Sequence, residues 1–208
     1  MQTPKPCPDY AYEDQCHAEG HAVVCGVDEA GRGPLCGPVC AAAVILPSGL
    51  SIQGLNDSKK LSESKREMLY GEICASCISY GVAYASPEEI DAYNILNATM
   101  LAMNRAISQL SPAPDIALID GNCKKGIDYN ALCIVKGDGK SMSVAAASVL
   151  AKVSRDRLMR RLAEQYPMYR LETHKGYPTA EHIRLLRAYG PCEIYRRSFL
   201  RKILGDSA

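Results

Sequence analysis

Two adjacent carboxylates, Asp28 and Glu29, end the apolar run of residues 22–27, and the glycine-rich turn of residues 31–34 follows at once. Carboxylates are depleted in strand interiors and cost free energy when they are buried without a partner. A divalent cation, which prefers oxygen ligands, would supply the missing charge. A polar strand end that leads into a tight hairpin explains the same residues equally well. Taken alone, the segment leaves both interpretations open.

Two further carboxylates occupy similar positions later in the chain. Asp120 ends the apolar run of residues 116–119, and Asp138 stands between two glycines just after a second apolar run. In an open α/β sheet, functional groups collect where strands end and their connections leave. Four carboxylates on one rim repel each other, so such a cluster requires bound cations or raised pKa values. A single Asp-Gly pair, in contrast, most often forms only a turn.

The adjacent pair raises a geometric difficulty. Successive residues on a regular strand point to opposite faces of the sheet, so the side chains of Asp28 and Glu29 would diverge. We therefore predict an irregularity at Glu29, where the backbone turns toward Gly31. Such a deviation would let both carboxylates face one metal site.

Composition excludes a membrane-spanning chain and indicates an uneven charge distribution. The 208 residues are 47% hydrophobic and 23% charged, and no apolar run reaches membrane-spanning length. Residues 1–140 hold 11 Lys+Arg and 17 Asp+Glu, whereas residues 141–208 hold 13 and 6. The basic second part favours a polyanionic partner. Because residues 1–20 contain no hydrophobic segment, we expect a cytoplasmic protein whose ten cysteines are free thiols.

Apolar runs, turn residues and capping signals predict an α/β protein, with five strands in a mixed sheet flanked by helices and with a C-terminal helical extension. The predicted strands are residues 22–28, 39–46, 79–85, 116–120 and 131–136, the first two joined as an antiparallel hairpin. The predicted helices are residues 64–77, 86–110, 142–165, 180–188 and 193–204. We expect residues 1–20 to form a loosely ordered tail and residues 21–208 a single domain that includes the terminal helices (about 179–205).

Several motifs, taken in order, resemble those of the ribonuclease HII family. They are VDEAGRGP at 27–34, NDSKKL at 56–61, PEEID at 87–91 with NIL at 94–96, IDG at 119–121, KGD at 136–138, AAASVLAKV at 145–153 with RD at 155–156, HKGY at 174–177 and RRSF at 196–199. The resemblance extends over roughly residues 22–200, and several of the motifs are too long to match by chance.

The resemblance implies a ribonuclease H-like fold and a metal-dependent endonuclease. Its substrates would be RNA/DNA hybrids and duplex DNA containing ribonucleotides, cut on the 5′ side of a ribonucleotide to leave 3′-hydroxyl and 5′-phosphate ends. Such an enzyme would act in the removal of ribonucleotides from DNA. The matching motifs place Asp28, Glu29, Asp120 and Asp138 at the four metal-binding carboxylates of the family, which would hold two Mg²⁺ or Mn²⁺ ions.

The same motifs assign the residues that would bind the substrate. These are Gly31, Arg32 and Gly33 for the 2′-hydroxyl, Tyr177 for the RNA–DNA junction, and Lys59 and Ser148 near backbone phosphates. The basic residues near the C-terminus are expected to hold duplex phosphates as well, namely Arg196, Arg197, Arg201 and Lys202. Pro178 stands where many relatives have glycine, and we expect it to stiffen the placement of Tyr177. We expect His17, His21 and His182 on the surface and assign no role to His174.

Three other interpretations remain. Junction resolvases and integrase-like nucleases of the same superfold have carboxylate clusters, but the Gly31-Arg32-Gly33 loop together with Tyr177 is not their pattern. Ribonuclease HIII carries an additional N-terminal domain, for which residues 1–20 are too few. A catalytically silent nucleic-acid-binding module would not need all four carboxylates. We expect a monomer without a membrane partner, and the sequence leaves a sliding-clamp contact open.

Overall fold

The structure is a computed structural model, which describes residues 7–205, and its centre is a mixed sheet. The strands are β1 (Val24–Ala30), β2 (Val39–Ile45), β3 (Ser79–Ala85), β4 (Ile116–Asp120) and β5 (Ala131–Ile134), in the spatial order β3-β2-β1-β4-β5. β1, β2 and β3 pair antiparallel, whereas β4 and β5 run parallel to β1. The predicted α/β class, the five strands and the first hairpin are confirmed.

Helices cover both faces of this sheet. Within residues 7–205 they are α1 (Ala11–Ala18), α2 (Glu63–Ser76), α3 (Pro87–Ile107), α4 (Met142–Gln165), α5 (Leu171–His174), α6 (Ala180–Tyr189) and α7 (Arg197–Leu204). α3 begins with the predicted capping box, in which Ser86 Oγ accepts a hydrogen bond from Glu89 N and Glu89 Oε2 accepts one from Ser86 N. None of these helices is long and apolar enough to cross a membrane.

Alternation along the strands separates two cores and positions the end of β1. Val27 packs with residues of α3, whereas Ala42 packs with residues of α2 and α4. Gly26 allows α4 to approach the sheet closely, because a Cβ at this position would lie 2.1 Å from the carbonyl carbon of Ser143. This contact fixes the start of α4, and the turn before it, next to β1.

The segment before β1 is ordered where the structure describes it. α1 docks on the start of α4, where Glu13 Oε1 accepts hydrogen bonds from Ser141 Oγ (2.6 Å) and from Ser143 N (2.9 Å). Asp9 N donates to the carbonyl of Lys140 at 3.1 Å. The expectation of a loose tail is therefore wrong for residues 9–18, because a buried carboxylate anchors the helix. Residues 1–6 lie outside the described residues.

The last predicted helix begins later than expected. α7 starts at Arg197, whereas residues 193–196 run along the loop that follows β1. Gly37 N donates to the carbonyl of Ile194 (2.8 Å), and Arg196 N donates to that of Leu35 (2.9 Å). These long-range main-chain hydrogen bonds replace the first helical turn that local sequence predicts.

Candidate active site

Three predicted carboxylates meet at one rim of the sheet. Asp28, Asp120 and Asp138 each offer an oxygen within 4.8 Å of the others. β1 and β4 are parallel and pair up to Val27 and Ile119, so the next residue on each strand is an aspartate. Asp138 lies on a 3-10 turn after β5, the third parallel strand. The meeting of parallel strand ends therefore produces the cluster.

Electrostatics in the cluster favour a cation. Burial raises the pKa of Asp28 well above its ordinary value, and the charges of Glu29 and Asp120 add to the effect. The pKa of Asp138 is raised by burial and by Asp120 and Asp57. Like charges held this closely need compensation, and hard divalent cations take carboxylate oxygens as ligands. The donor set fits Mg²⁺ or Mn²⁺, with Asp28, Asp120 and Asp138 as the residues to hold it.

Main-chain amides orient two of the carboxylates. Gly137 N donates to Asp120 Oδ1 at 2.7 Å, which ties the end of β4 to the turn that carries Asp138. Glu29 N donates to Asp28 Oδ1 at 2.7 Å. Both hydrogen bonds restrict the orientation of the accepting carboxylate. Main-chain amides thus position Asp28 and Asp120.

Glu29 lies beside the cluster, and the predicted irregularity at this residue is wrong. The pairing of β1 with β2 is regular through Glu29 and Ala30, so alternation directs Glu29 away from Asp28. Its Oε1 lies 3.4 Å from Arg32 Nη1. Burial raises the pKa of Glu29, although Arg32 opposes the shift. The backbone first leaves the strand conformation at Gly31, where φ is 97°.

The glycine turn and Tyr177 share a cleft with Asp28 and Glu29. Asp28, Glu29 and residues 31–33 line it together with Lys59 and Tyr177. Tyr177 is 39% exposed, and a Cβ on Gly33 would lie 3.7 Å from the edge of its ring. The cleft therefore combines charged oxygens, a close-approaching backbone and an aromatic face.

Known proteins decide the family. The ribonuclease HII family model matches residues 25–202. The curated ribonuclease HII of Caldicellulosiruptor bescii is 52% identical over 195 residues, which cover 94% of this chain and 95% of the relative. The chain belongs to the ribonuclease HII family. It is accordingly a metal-dependent ribonuclease, a hydrolase of phosphodiester bonds that acts as an endonuclease on the RNA of RNA/DNA hybrids.

Solved structures agree with this assignment. The ribonuclease H2 of Pyrococcus horikoshii superposes with a TM-score of 0.72 at 29% identity, covering 87% of this chain and 96% of that one. The ribonuclease HII of Archaeoglobus fulgidus, solved as a complex with PCNA, gives a TM-score of 0.70 at 28% identity, covering 84% and 94%. The predicted ribonuclease H-like fold is confirmed.

Lys59 and Ser148 have different positions relative to the cleft. The Lys59 side chain is 76% exposed, and its Nζ lies 3.7 Å from Asp138 Oδ2. Burial acts to lower the pKa of Lys59, but Asp28 and Asp138 outweigh it and the pKa is raised. Ser148 is buried, and its Oγ accepts a hydrogen bond from Ser58 N at 3.2 Å. A direct phosphate contact of Ser148 is therefore wrong, because its hydroxyl supports the Lys59 turn from beneath.

Arg196 requires the largest correction among the predicted phosphate contacts. Its side chain is fully buried, with 0% exposure, so it cannot bind the phosphates of a duplex. The guanidinium donates to main-chain carbonyls within residues 31–37, which form the loop after β1. Hydrogen bonds to these carbonyls compensate the buried charge. Arg196 thus holds the glycine turn from inside the protein.

Arg197 and Arg201 are exposed on α7, as a phosphate-binding role requires. Asp91 caps this helix, because its carboxylate accepts from Arg197 N (2.7 Å) and from Ser198 N (2.9 Å). The cap anchors the helix of these arginines to α3. Their phosphate contacts stay predictions, and the side chain of Lys202 lies outside the described residues.

Two residues near the cleft were not assigned from sequence. Arg155 is buried on α4, and its spacing of four and eight residues from the buried Ala151 and Ala147 indicates the same helix face. Asp57 Oδ1 caps the Lys59 turn by accepting from Lys59 N at 2.9 Å. Its place in the NDSKKL motif was the available signal.

A buried histidine pair supports the Tyr177 segment, so the predicted surface position of His182 is wrong. His182 Nδ1 lies 2.9 Å from the carbonyl oxygen of Tyr177, and Nε2 lies 2.8 Å from the Tyr195 hydroxyl. The His174 ring stacks on it with a centroid distance of 4.2 Å. Burial lowers the pKa of His182 to about 4. A neutral imidazole therefore positions the backbone of the tyrosine at physiological pH.

Proposed function

We propose that the protein cuts on the 5′ side of ribonucleotides, both in RNA/DNA hybrids and when embedded in duplex DNA, and leaves 3′-hydroxyl and 5′-phosphate ends. One observation carries the proposal: Asp28, which belongs to the carboxylate cluster, lines the same cleft as the turn of residues 31–33 and Tyr177. When the turn binds a ribose, the phosphodiester on the 5′ side of that ribose would lie at the carboxylates. This activity serves ribonucleotide removal from DNA.

The chemical step divides between the chain and its cations. When bound, two Mg²⁺ or Mn²⁺ ions would supply an activated water and charge stabilisation at the leaving 3′-oxygen. Asp28, Asp120 and Asp138 bind and orient the ions, and Glu29 extends the negative field toward Arg32. The three aspartates must be deprotonated to bind the ions, which makes activity fall with decreasing pH. The exposed Lys59 ammonium compensates charge on the scissile phosphate.

Recognition uses three kinds of surface. The turn of residues 31–33 brings main-chain groups to the 2′-hydroxyl, the atom that distinguishes RNA from DNA. Tyr177 offers a flat face to the sugar or base next to the cut. Basic residues line the approach to Asp120 and Asp138, namely Lys59, Lys60, Lys136 and Lys140. Such contacts make duplex binding weaken as salt increases.

Incision of four defined duplexes tests the function. They carry a single embedded ribonucleotide, an RNA/DNA hybrid, an all-DNA strand and a single 2′-O-methyl ribonucleotide, each with Mg²⁺, Mn²⁺ or EDTA. We expect cuts 5′ of the ribonucleotide in the first duplex and within the RNA of the second, only with metal. Equal cutting of all-DNA duplex, or incision in EDTA, would contradict the proposal.

A sliding-clamp contact is part of the same proposal. It is supported by the complex of the Archaeoglobus fulgidus relative with PCNA. We expect the full chain to co-elute in gel filtration with the purified sliding clamp of the same organism. Separate elution at micromolar concentrations, with each protein at its monomer or ring volume, would refute it.

A further inference from the structure

The buried guanidinium of Arg196 contacts most carbonyls of the turn that follows β1. It donates to the carbonyl oxygens of Gly31 (2.7 Å), Arg32 (3.0 Å), Pro34 (2.8 Å) and Gly37 (2.9 Å). A lysine ammonium has three donors and no planar fork, so it cannot reproduce this pattern. Arg196 is thus matched to the shape of one turn, 165 residues earlier in the chain.

Peptide planarity transmits this contact to the opposite side of the turn. In a trans peptide the C=O and the following N–H point in opposite directions. Because the carbonyls of Gly31 and Arg32 point to the buried Arg196, the amides of Arg32 and Gly33 point away from it. Arg32 and Gly33 line the cleft that also contains Asp28 and Tyr177. Two amide donors are therefore oriented toward the substrate side.

We infer that Arg196 is a specificity-determining positioning residue, which orients the Arg32 and Gly33 amides to recognise a ribonucleotide without touching the substrate itself. This inference rests on the proposed function and adds to it the residue that makes the turn selective. The cation also polarises the Gly31–Arg32 and Arg32–Gly33 peptides, whose carbonyls are among those it binds, and this strengthens their N–H groups as donors. If these peptides could flip, the turn would present carbonyl oxygens to the substrate instead of the two amides. It would then no longer distinguish ribose from deoxyribose.

A second buried arginine limits the alternatives open to the turn. Arg155 donates to the carbonyls of Cys36 (3.2 Å), Pro38 (3.1 Å) and Lys175 (3.0 Å). A Cβ on Gly31 would lie 2.0 Å from its Nε, so the side chain packs directly under the turn. Arg155 thereby joins the turn to the segment of Tyr177, while Arg196 sets the peptide orientation.

Arg196→Lys is the direct test, with Leu186→Ala as a control of matched position. Leu186 is buried in the same C-terminal cluster, which also contains Leu200 and Tyr195, and its loss weakens the core without removing a donor to the turn. The readout is the ratio of single-turnover rates in Mn²⁺ on duplexes with one ribonucleotide and with the matching deoxyribonucleotide. Each variant is assayed equally far below its own melting temperature.

We expect Arg196→Lys to reduce this ratio at least tenfold and to scatter cuts to neighbouring phosphodiesters. The thermal shift caused by Mn²⁺ should stay that of the wild type, because the carboxylates are untouched. Leu186→Ala should keep the wild-type ratio. An unchanged ratio in Arg196→Lys, or an equal loss in Leu186→Ala, would overturn the inference in favour of a structural role.

Amide spectra of the wild-type protein keep the test independent of variant folding. With ¹⁵N-labelled protein and Ca²⁺ in place of Mn²⁺, the Arg32 and Gly33 amides should shift with the ribonucleotide duplex and not with all-DNA duplex. Shifts that do not depend on the ribonucleotide would refute the inference even if the enzyme cuts correctly. Absence of cutting by wild type in Mn²⁺ would instead refute the proposed function.

Discussion

The carboxylate cluster and the glycine turn are neighbours, yet opposite physical means hold them in place. Asp28, Asp120 and Asp138 bring like charges within 4.8 Å, and burial together with repulsion raises the pKa of Asp28 and Asp138. In the turn, carbonyls meet the cationic donors of Arg196 and Arg155. The charges of the cluster thus require ions from solution, whereas the carbonyls of the turn, which we propose for recognition, are satisfied by the protein itself.

This difference predicts opposite responses to substitution. Removing one charge from the cluster relieves repulsion, so it should abolish chemistry while it maintains or raises stability. Changing the turn removes room or hydrogen bonds that the buried arginines require, so it should lower stability as well as selectivity. Catalytic and stability measurements on the two regions should therefore diverge.

Asp120→Asn has the largest expected effect on rate. Asparagine keeps the acceptor for Gly137 N but removes the charge that a divalent ion needs. We expect single-turnover incision to fall by roughly 10³-fold or more, duplex binding measured by fluorescence anisotropy to persist, and the metal-free melting temperature not to decrease.

Asp128→Asn is the matched control for this change. Asp128 is exposed, bonds Asn104 Nδ2 at 2.8 Å and lies outside the cluster. Its variant should cut at a rate within about twofold of wild type, as expected for a surface substitution. Persistent cutting by Asp120→Asn would show that the metal-site assignment is wrong.

Gly31→Ala and Gly33→Ala should separate two roles within one turn. Gly31 has φ of 97°, and its Cβ would collide with Arg155, so we expect a loss of about 3 kcal/mol in the free energy of unfolding. At Gly33 a Cβ meets only the Tyr177 ring, at 3.7 Å, so stability should change by about 0.5 kcal/mol or less.

Activity provides the second half of that comparison. The methyl group of Gly33→Ala occupies space between the turn and Tyr177, so incision should fall roughly tenfold at near-normal stability. Urea unfolding and single-turnover incision measure the two quantities. Equal destabilisation by both substitutions would mean that the turn is not packed on Arg155 as described.

Lowering the pH should change the contributions of His182 and of the carboxylate cluster to the free energy of unfolding in opposite directions. The pKa of His182 falls from 6.5 to about 4 on folding, so the unfolded chain binds more protons between these values. Neutral His182 contributes on the order of 2 kcal/mol to the free energy of unfolding. This contribution is complete above pH 6.5 and is lost as the pH falls toward 4. The raised pKa values of Asp28 and Asp138 make their contribution favour the folded state in acid instead.

Urea unfolding at pH 7.5 and pH 5.0 measures the net result, and His182→Asn isolates the histidine. On going from pH 7.5 to pH 5.0 this variant should lose less stability than wild type, because the carboxylates that favour the folded state in acid are still present. A slope that persists unchanged in His182→Asn would assign the titration to other groups.

Local sequence determined much of the framework. Strand positions, the capping box of α3, the full extent of α4 and the strand-end aspartates all follow from periodicity and neighbouring residues. Such features need few long-range contacts, because burial on one face and caps at the ends specify them. The convergence of Asp28, Asp120 and Asp138 follows in turn from the parallel order of their strands.

Tertiary structure alone decided which charged and polar residues lie inside. The residues next to Arg196 in the sequence predict a surface cation. In the folded protein it is surrounded by main-chain carbonyls of residues 31–37, which are far away in the sequence. The same holds for the burial of Ser148 and His182, for the docking of Glu13 on α4, and for the separation of Glu29 from the cluster. A charge or hydroxyl can be buried only where distant groups satisfy its hydrogen bonds, and their position is fixed only when the chain has folded.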